Sequence, residues 1–151
     1  MGGRAVSDFY KSWGSFKGKR LPKQINMQII PIGCMRDAYK DGFDYWIDER
    51  DVLQVRIAEF ENPDFAWFWA IHEVLEALRC IKAGIPLEAI EAFDAEHTDH
   101  EDPGSIPEAP YHKQHMQSMT VQHILCEQDG YSYEEYMDAE PIPLPKKENQ
   151  P

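Results

Sequence analysis

Residues 62–84, NPDFAWFWAIHEVLEALRCIKAG, form the strongest helical pattern in this sequence of 151 residues. Apolar side chains recur along the segment at helical spacing: Phe68, Ile71, Leu75 and Leu78. This periodicity predicts a helix over residues 65–82. Pro63 is typical of a helix start, and Gly84 is suited to the left-handed conformation that often ends a helix.

The residues before this helix carry strand patterns. The run NMQIIPIG at 26–33 is rich in apolar and β-branched residues, and apolar and polar residues alternate along 52–60 after a turn at 48–51. Period-two alternation on both sides of a turn is typical of a hairpin. We therefore expect a small antiparallel β-sheet from about residues 26–60.

The residues after the long helix predict three more helices. They cover 87–96, 109–127 and 132–138, the last with a capping box formed by Ser132 and Glu135. Strands followed by helices indicate an α+β fold in which the sheet packs against three to four helices.

The chain divides into three parts by composition. Residues 1–23 are basic and glycine-containing, and we expect a flexible arm. Residues 24–138 predict a single α+β metal-binding domain. Residues 139–151 are rich in proline and charge, and we expect a disordered tail.

The charge balance limits the classes of partner. The chain has 27 acidic and 15 basic residues and a formal net charge of −12. This disfavours nucleic acid and anionic membranes as partners of the acidic domain and favours cations or a basic protein. We expect a cytoplasmic protein, because the chain shows neither a signal-peptide pattern nor an apolar run long enough to cross a membrane.

The long helix carries the most informative motif, His72-Glu73-Val74-Leu75-Glu76. His72 and Glu76 are four residues apart, so both side chains leave the same face of the helix and can bind one ion. In His-Glu-x-x-His helices the two histidines bind zinc and the adjacent glutamate acts as the general base. Here Glu76 replaces the second histidine, which keeps the spacing and supplies a carboxylate.

A third ligand is expected from the helix predicted at 109–127. The phrase APYHKQH places His112 and His115 near its start, and we favour His115 as the ligand because it lies one turn deeper. His112 and Asp94 are secondary candidates. Zn²⁺ fits such a donor set, with Mn²⁺ or Fe²⁺ as alternatives.

Simpler interpretations remain open for each of these residues. His72 could be a buried histidine hydrogen-bonded to a glutamate. Cys80, four residues after Glu76, is more typical of a small buried side chain than of a thiolate ligand. Glu101 and Asp102 are interpreted as solvated loop charges, with a calcium-binding role as the alternative.

The segments HEVLEALRC, APYHKQH and QDGYSYEEY together resemble small uncharacterised proteins encoded by tailed phages and prophages, over about residues 45–136. The order of strands, a His-Glu helix and a later histidine is also distantly similar to zincin-like metallopeptidases. The resemblance implies His72, Glu76 and His115 as metal ligands and Glu73 as the general base.

Two functional hypotheses follow. The first is a zinc-dependent hydrolase, peptidase-like or amidase-like, whose substrate is a peptide or another acyl compound. The second is a phage-encoded acidic binding or inhibitor protein, located in the host cytoplasm, that targets a basic host protein and has a structural or vestigial metal site. A test of metal content and activity distinguishes the two.

Overall fold

A computed structural model describes residues 20–39 and 41–145 of the chain. Three strands form one sheet: β1 (Gln24–Ile30), β2 (Phe43–Ile47) and β3 (Val52–Ala58). Four helices follow: α1 (Pro63–Ala83), α2 (Leu87–Glu96), α3 (His112–Gln128) and α4 (Tyr133–Asp138). The predicted α+β class is therefore confirmed, with a small sheet packed against four helices.

The sheet is mixed, with strand order β1-β3-β2. The predicted hairpin is present, since β2 and β3 pair antiparallel with Phe43 opposite Ile57. The expectation of a wholly antiparallel sheet was wrong for β1, which pairs parallel to β3 with Gln24 opposite Val52. β3 lies between β1 and β2, so the connection from β1 to β2 passes across one end of β3. Because β1 and β2 run in opposite directions and β2 is antiparallel to β3, β1 is parallel to β3.

Local capping sets the two ends of α1. The side chain of Asn62 accepts a hydrogen bond from the backbone N–H of Asp64, and Pro63 occupies the first turn. At the other end Gly84 adopts a left-handed conformation, with φ of 76°. Pro63 and Gly84 are the end signals visible in the sequence, and the predicted bounds of this helix lie within two residues of the observed ones.

The side of α1 that packs into the protein coincides only in part with the apolar stripe seen in the sequence, since Phe68 is buried but the other three members are not. Ile71 is 38% exposed, and Leu75 and Leu78 are only partly buried. The buried side instead carries His72 and Glu76, beside small and aromatic residues: Phe65, Ala66, Ala70, Ala77 and Cys80. The helix therefore turns polar residues toward α3 and the sheet, and this arrangement positions the site described below.

The first part of the predicted disordered tail contacts the sheet. The backbone N–H of Ile142 donates a hydrogen bond of 2.7 Å to the carbonyl of Glu59, and Pro141 is buried. The packed chain thus extends beyond the domain boundary expected at residue 138.

Most of the predicted basic arm, residues 1–19, lies outside the described residues. No helix in the described part of the chain is long and apolar enough to cross a bilayer.

Candidate metal centre

Three side chains that the sequence predicts as ligands meet between α1 and α3. The Nε2 atom of His72 lies 3.0 Å from Oε2 of Glu76, and Nδ1 of His115 lies 2.8 Å from the same oxygen. The ligand atoms of the three residues all lie within 4.8 Å of one another, and the side chains are buried. This group could hold a metal ion.

The second ring nitrogen of His72 is held by Gln122 on α3. His72 Nδ1 lies 2.5 Å from Oε1 of Gln122, and the amide nitrogen of Gln122 donates to the hydroxyl of Tyr136. With the amide oriented this way, its oxygen accepts a hydrogen bond from the N–H group at Nδ1 of His72. The Nε2 atom of neutral His72 is then a bare acceptor directed at Glu76.

The second ring nitrogen of His115 is held by a loop carboxylate. His115 Nε2 lies 3.0 Å from Oδ1 of Asp102. The loop also packs closely on the ring, because a Cβ atom added at Gly104 would lie 2.5 Å from Cγ of His115. The proton of a neutral His115 therefore belongs on Nε2, which leaves Nδ1 as the bare acceptor directed at Glu76.

With both imidazoles oriented in this way, the three potential ligand atoms need a positive charge between them. Two ring nitrogens with free lone pairs and a carboxylate oxygen repel each other unless a proton or a cation lies between them. Histidine ligands of metals are commonly oriented in this way, with the remote ring nitrogen bonded to a carboxylate or carbonyl oxygen. Tyr45 donates a hydrogen bond of 3.1 Å to the other oxygen of Glu76, so the whole ligand set is fixed.

Protons take the place of a cation when no metal is bound. Burial disfavours the charged form of His115, but its hydrogen bonds to Asp102 and Glu76 outweigh burial and raise its pKa to about 10. Burial likewise disfavours ionised Glu76, yet the hydrogen bond from protonated His115, with a smaller contribution from His72, lowers its pKa to about 2. The centre therefore holds a buried imidazolium–carboxylate pair, and a metal ion would replace the proton between His115 and Glu76.

Glu73 projects into the same cleft without a fixed partner. Its side chain is 9% exposed, and within the described part of the chain no hydrogen bond reaches its carboxyl group. Burial, followed by the charge of Glu76, raises the pKa of Glu73 well above its usual range. The indole N–H of Trp69, one turn before Glu73, is also buried without a hydrogen-bond partner among the described residues.

The cleft around these residues has a volume of about 730 Å³. It is lined by Glu73 and by the three potential ligands, together with residues from β2, α2, the 101–103 loop and the 137–141 segment. A volume of this order accommodates a small molecule or several residues of a peptide. The potential metal ligands are thus accessible from a substrate-sized space.

The two secondary candidates lie outside the group of ligand atoms. Nδ1 of His112 lies 2.9 Å from the carbonyl oxygen of Gly104, so this histidine supports the loop rather than the centre. Asp94 lines the cleft and accepts a hydrogen bond of 2.5 Å from Tyr111. Burial raises the pKa of Asp94 to about 6.

Three supporting residues were missed or misinterpreted from the sequence. Asp102 was interpreted as a solvated charge, but it pairs with His115. Gln122 lies seven residues after His115, and this spacing on one helix face was an available signal. No comparable signal marks Tyr45, which reaches Glu76 from the sheet. Cys80 is fully buried, as expected for a small core residue, and is not part of the ligand group.

Comparisons with protein-family models, with curated proteins and with solved structures found no match to this chain.

Proposed function

We propose that this protein is a metal-dependent hydrolase that cleaves a peptide or a related amide bond, with zinc as the preferred ion. The observation that supports the proposal most strongly is the meeting of His72, Glu76 and His115 in a cleft next to the unpartnered carboxyl group of Glu73. A divalent ion bound to these ligands would supply Lewis acidity for attack by water on a carbonyl.

The chain's own residues have distinct roles in this proposal. The positive charge of a bound ion would lower the pKa of Glu73 from its raised value, so that the ionised carboxylate accepts the proton of the attacking water and passes it to the leaving nitrogen. Gln122 and Asp102 keep the two imidazoles in the orientation that ligation requires. Tyr45 holds the second oxygen of Glu76, so that the first oxygen stays directed at the ion.

The chemistry of the donor set supports zinc over calcium or magnesium. Two imidazoles and one carboxylate suit Zn²⁺, Mn²⁺ and Fe²⁺, whereas calcium and magnesium prefer oxygen ligands. Among the three, zinc needs no particular redox environment, and three protein ligands plus one open position is its usual catalytic arrangement. Metal analysis by mass spectrometry of the purified full-length chain tests this choice.

The test of function compares four proteins: wild type, Glu73→Gln, His72→Ala and His123→Ala. Each is stripped with chelator, reloaded with zinc, dialysed and assayed for bound metal. Each is then incubated with a mixed-sequence peptide library in ¹⁸O-labelled water, where hydrolysis places ¹⁸O in the new carboxyl groups. His123 is a matched control because it is an exposed histidine of α3 outside the centre.

We expect wild type and His123→Ala to bind one ion and to hydrolyse peptides. Glu73→Gln should keep the ion and lose at least about a hundredfold in rate, since general-base catalysis contributes on that order. His72→Ala should lose both. A wild type with no stoichiometric metal contradicts the site, and a Glu73→Gln variant as active as wild type contradicts the assigned role. Full metal loading without any ¹⁸O incorporation would instead favour a structural ion in a binding protein.

A further inference from the structure

The cleft is far more acidic than the chain as a whole. Nine of its 22 lining residues carry a carboxyl group, against 27 of 151 in the full sequence. Lys and Arg, which number 15 in the sequence, do not occur among the lining residues that the structure describes. The cleft therefore has a strongly negative potential, which low-dielectric walls would intensify.

Some of these carboxyl groups are already compensated. Asp44 is buried and forms two hydrogen bonds of 2.6 Å with the guanidinium of Arg36. Asp102 pairs with His115, and Asp94 accepts from Tyr111. Glu76 is the carboxylate of the proposed metal centre. Asp44, Asp102 and Glu76 thus have a cationic partner in the protein or in the ion, and Asp94 has a neutral hydrogen-bond donor.

The remaining carboxyl groups have no cationic partner in the described part of the chain. Four are exposed at the rim and one, Glu73, is nine-tenths buried at the base: Asp41, Glu101, Asp138, Glu140 and Glu73. The rim groups come from three separate segments of the chain, yet they line one cleft. A buried carboxyl group without a partner, directed into the same space, indicates a ligand that brings its own hydrogen-bond donors or positive charge.

An aromatic wall completes the environment. The rings of Phe43 and Trp69 lie 4.3 Å apart, and both line the cleft. Aromatic faces next to carboxylates recognise ammonium and guanidinium groups, because the ring attracts the cation and packs against the alkyl stem. A neutral or acidic side chain lacks the charge attraction to the carboxylates and to the ring face.

We propose that the cleft selects a basic substrate, namely a peptide segment whose lysine or arginine side chain binds the rim carboxylates Asp138 and Glu140 while the backbone lies over the metal centre. The assignment of this ligand as a substrate rests on the proposed hydrolase function. Its binding to the cleft does not depend on catalysis and can be measured separately.

The test measures binding of a fluorescent peptide of alternating glycine and lysine to the zinc-loaded full-length chain by fluorescence anisotropy. The same peptide with every lysine acetylated is the uncharged counterpart. Glu73→Gln serves as the parent protein, so that cleavage does not disturb the measurement. Two double variants of this parent are compared. The rim variant carries Asp138→Asn and Glu140→Gln, and the control variant carries Glu134→Gln and Glu135→Gln in the first turn of α4. Both remove two exposed negative charges from neighbouring positions, but only the first pair lines the cleft.

We expect the acetylated peptide and the rim variant each to lower the affinity about tenfold, the sum of two screened charge pairs. The control variant, Glu134→Gln with Glu135→Gln, should bind the lysine peptide as its parent does. Equal affinity for the two peptides, or equal losses in the two double variants, would overturn the proposal. A cleft that binds the polyamine spermine but not the lysine peptide would also overturn it. Selective peptide binding without hydrolysis by the wild type would refute the proposed function while leaving the selectivity in place.

Discussion

At the scale of single residues, the proposed metal centre depends on groups that would not contact a bound ion. Gln122 and Asp102 decide which nitrogen of each imidazole is free, and both do so through one hydrogen bond. The ligands His72 and His115 would keep their positions without these partners, but their tautomers and ring orientations would no longer be fixed. Affinity for metal should therefore be sensitive to substitutions outside the ligand set.

Gln122→Leu tests this dependence. Leucine fills a similar volume but cannot accept the proton of His72 Nδ1, so we expect the affinity for zinc to fall by about tenfold to a hundredfold. Competition with a chromophoric chelator measures the change. Gln128→Leu, at the exposed end of α3, is the control and should bind zinc as wild type does. Equal affinity in all three proteins would remove Gln122 from the centre.

Gly104→Ala tests the contact between the loop and His115. The added Cβ would meet the imidazole at 2.5–2.9 Å, closer than such contacts occur, so the ring or the loop must move. We expect weaker zinc binding together with a loss of stability of about 1–3 kcal/mol, as for other overpacked sites. Chelator competition and urea denaturation measure the two effects. If Gly104→Ala has the zinc affinity and the stability of wild type, the loop moves away from the ring without a loss of free energy.

The pH dependence of the metal-free protein reports the pKa of His115. This pKa is raised in the folded state to about 10, so the stabilisation is complete below the unfolded value near 6.5 and is lost as the pH rises toward 10. We expect the Tm of the metal-free chain to fall between pH 6.5 and 8. The affinity for zinc should rise over the same interval, because the ion must displace this proton. His115→Gln should reduce the slope of Tm against pH in the metal-free chain, and an unchanged slope would contradict the assigned pKa.

At the scale of elements, the sequence predicted which helices form but not how each one is oriented. The ends of α1 were predictable because Pro63 and Gly84 act locally, on the backbone of their own turns. The buried side of α1 is set by contacts with α3 and the sheet, and these leave Ile71 exposed. The parallel pairing of β1 likewise depends on a neighbour distant in sequence. Non-local contacts account for both differences.

Asn62→Ala tests the contribution of the cap to the element that carries His72 and Glu76. Loss of the hydrogen bond to the N–H of Asp64 should lower the free energy of unfolding by about 1 kcal/mol. Urea denaturation of the metal-free protein gives the value. Asn62→Asp keeps the cap and should be close to wild type. If alanine and aspartate behave alike, the cap does not stabilise the helix.

At the scale of the whole molecule, the proposed ion would join α1 to α3 across 39 residues of sequence. The meeting of His72, Glu76 and His115 was predictable because His72 and Glu76 share one helix face and His115 borders the inner side of another helix. Asp102 and Tyr45 were not, because a loop acid and a strand tyrosine carry no periodic signal. The acidic cleft was not predictable either, since its carboxylates come from distant segments.

Binding of the ion should therefore stabilise the entire fold. Zinc at about a thousand times its dissociation constant contributes about 4 kcal/mol to the folded state, which corresponds to a rise in Tm of about 8–16 °C for a domain of this size. Differential scanning calorimetry with and without zinc measures the shift. His72→Ala and His115→Ala should show no zinc-dependent rise. A wild-type Tm insensitive to zinc would contradict a site that joins the two helices.

The spacing of the ligands along the chain also has a consequence during synthesis. His72 and Glu76 leave the ribosome almost together, whereas His115 follows 39 residues after Glu76. At typical elongation rates this delay is about 2–8 s. A nascent chain thus presents an incomplete, two-ligand site for several seconds, on a helix whose third partner has not yet been made. Ion capture in that interval would be weak and reversible, so the complete centre should form only when α3 docks.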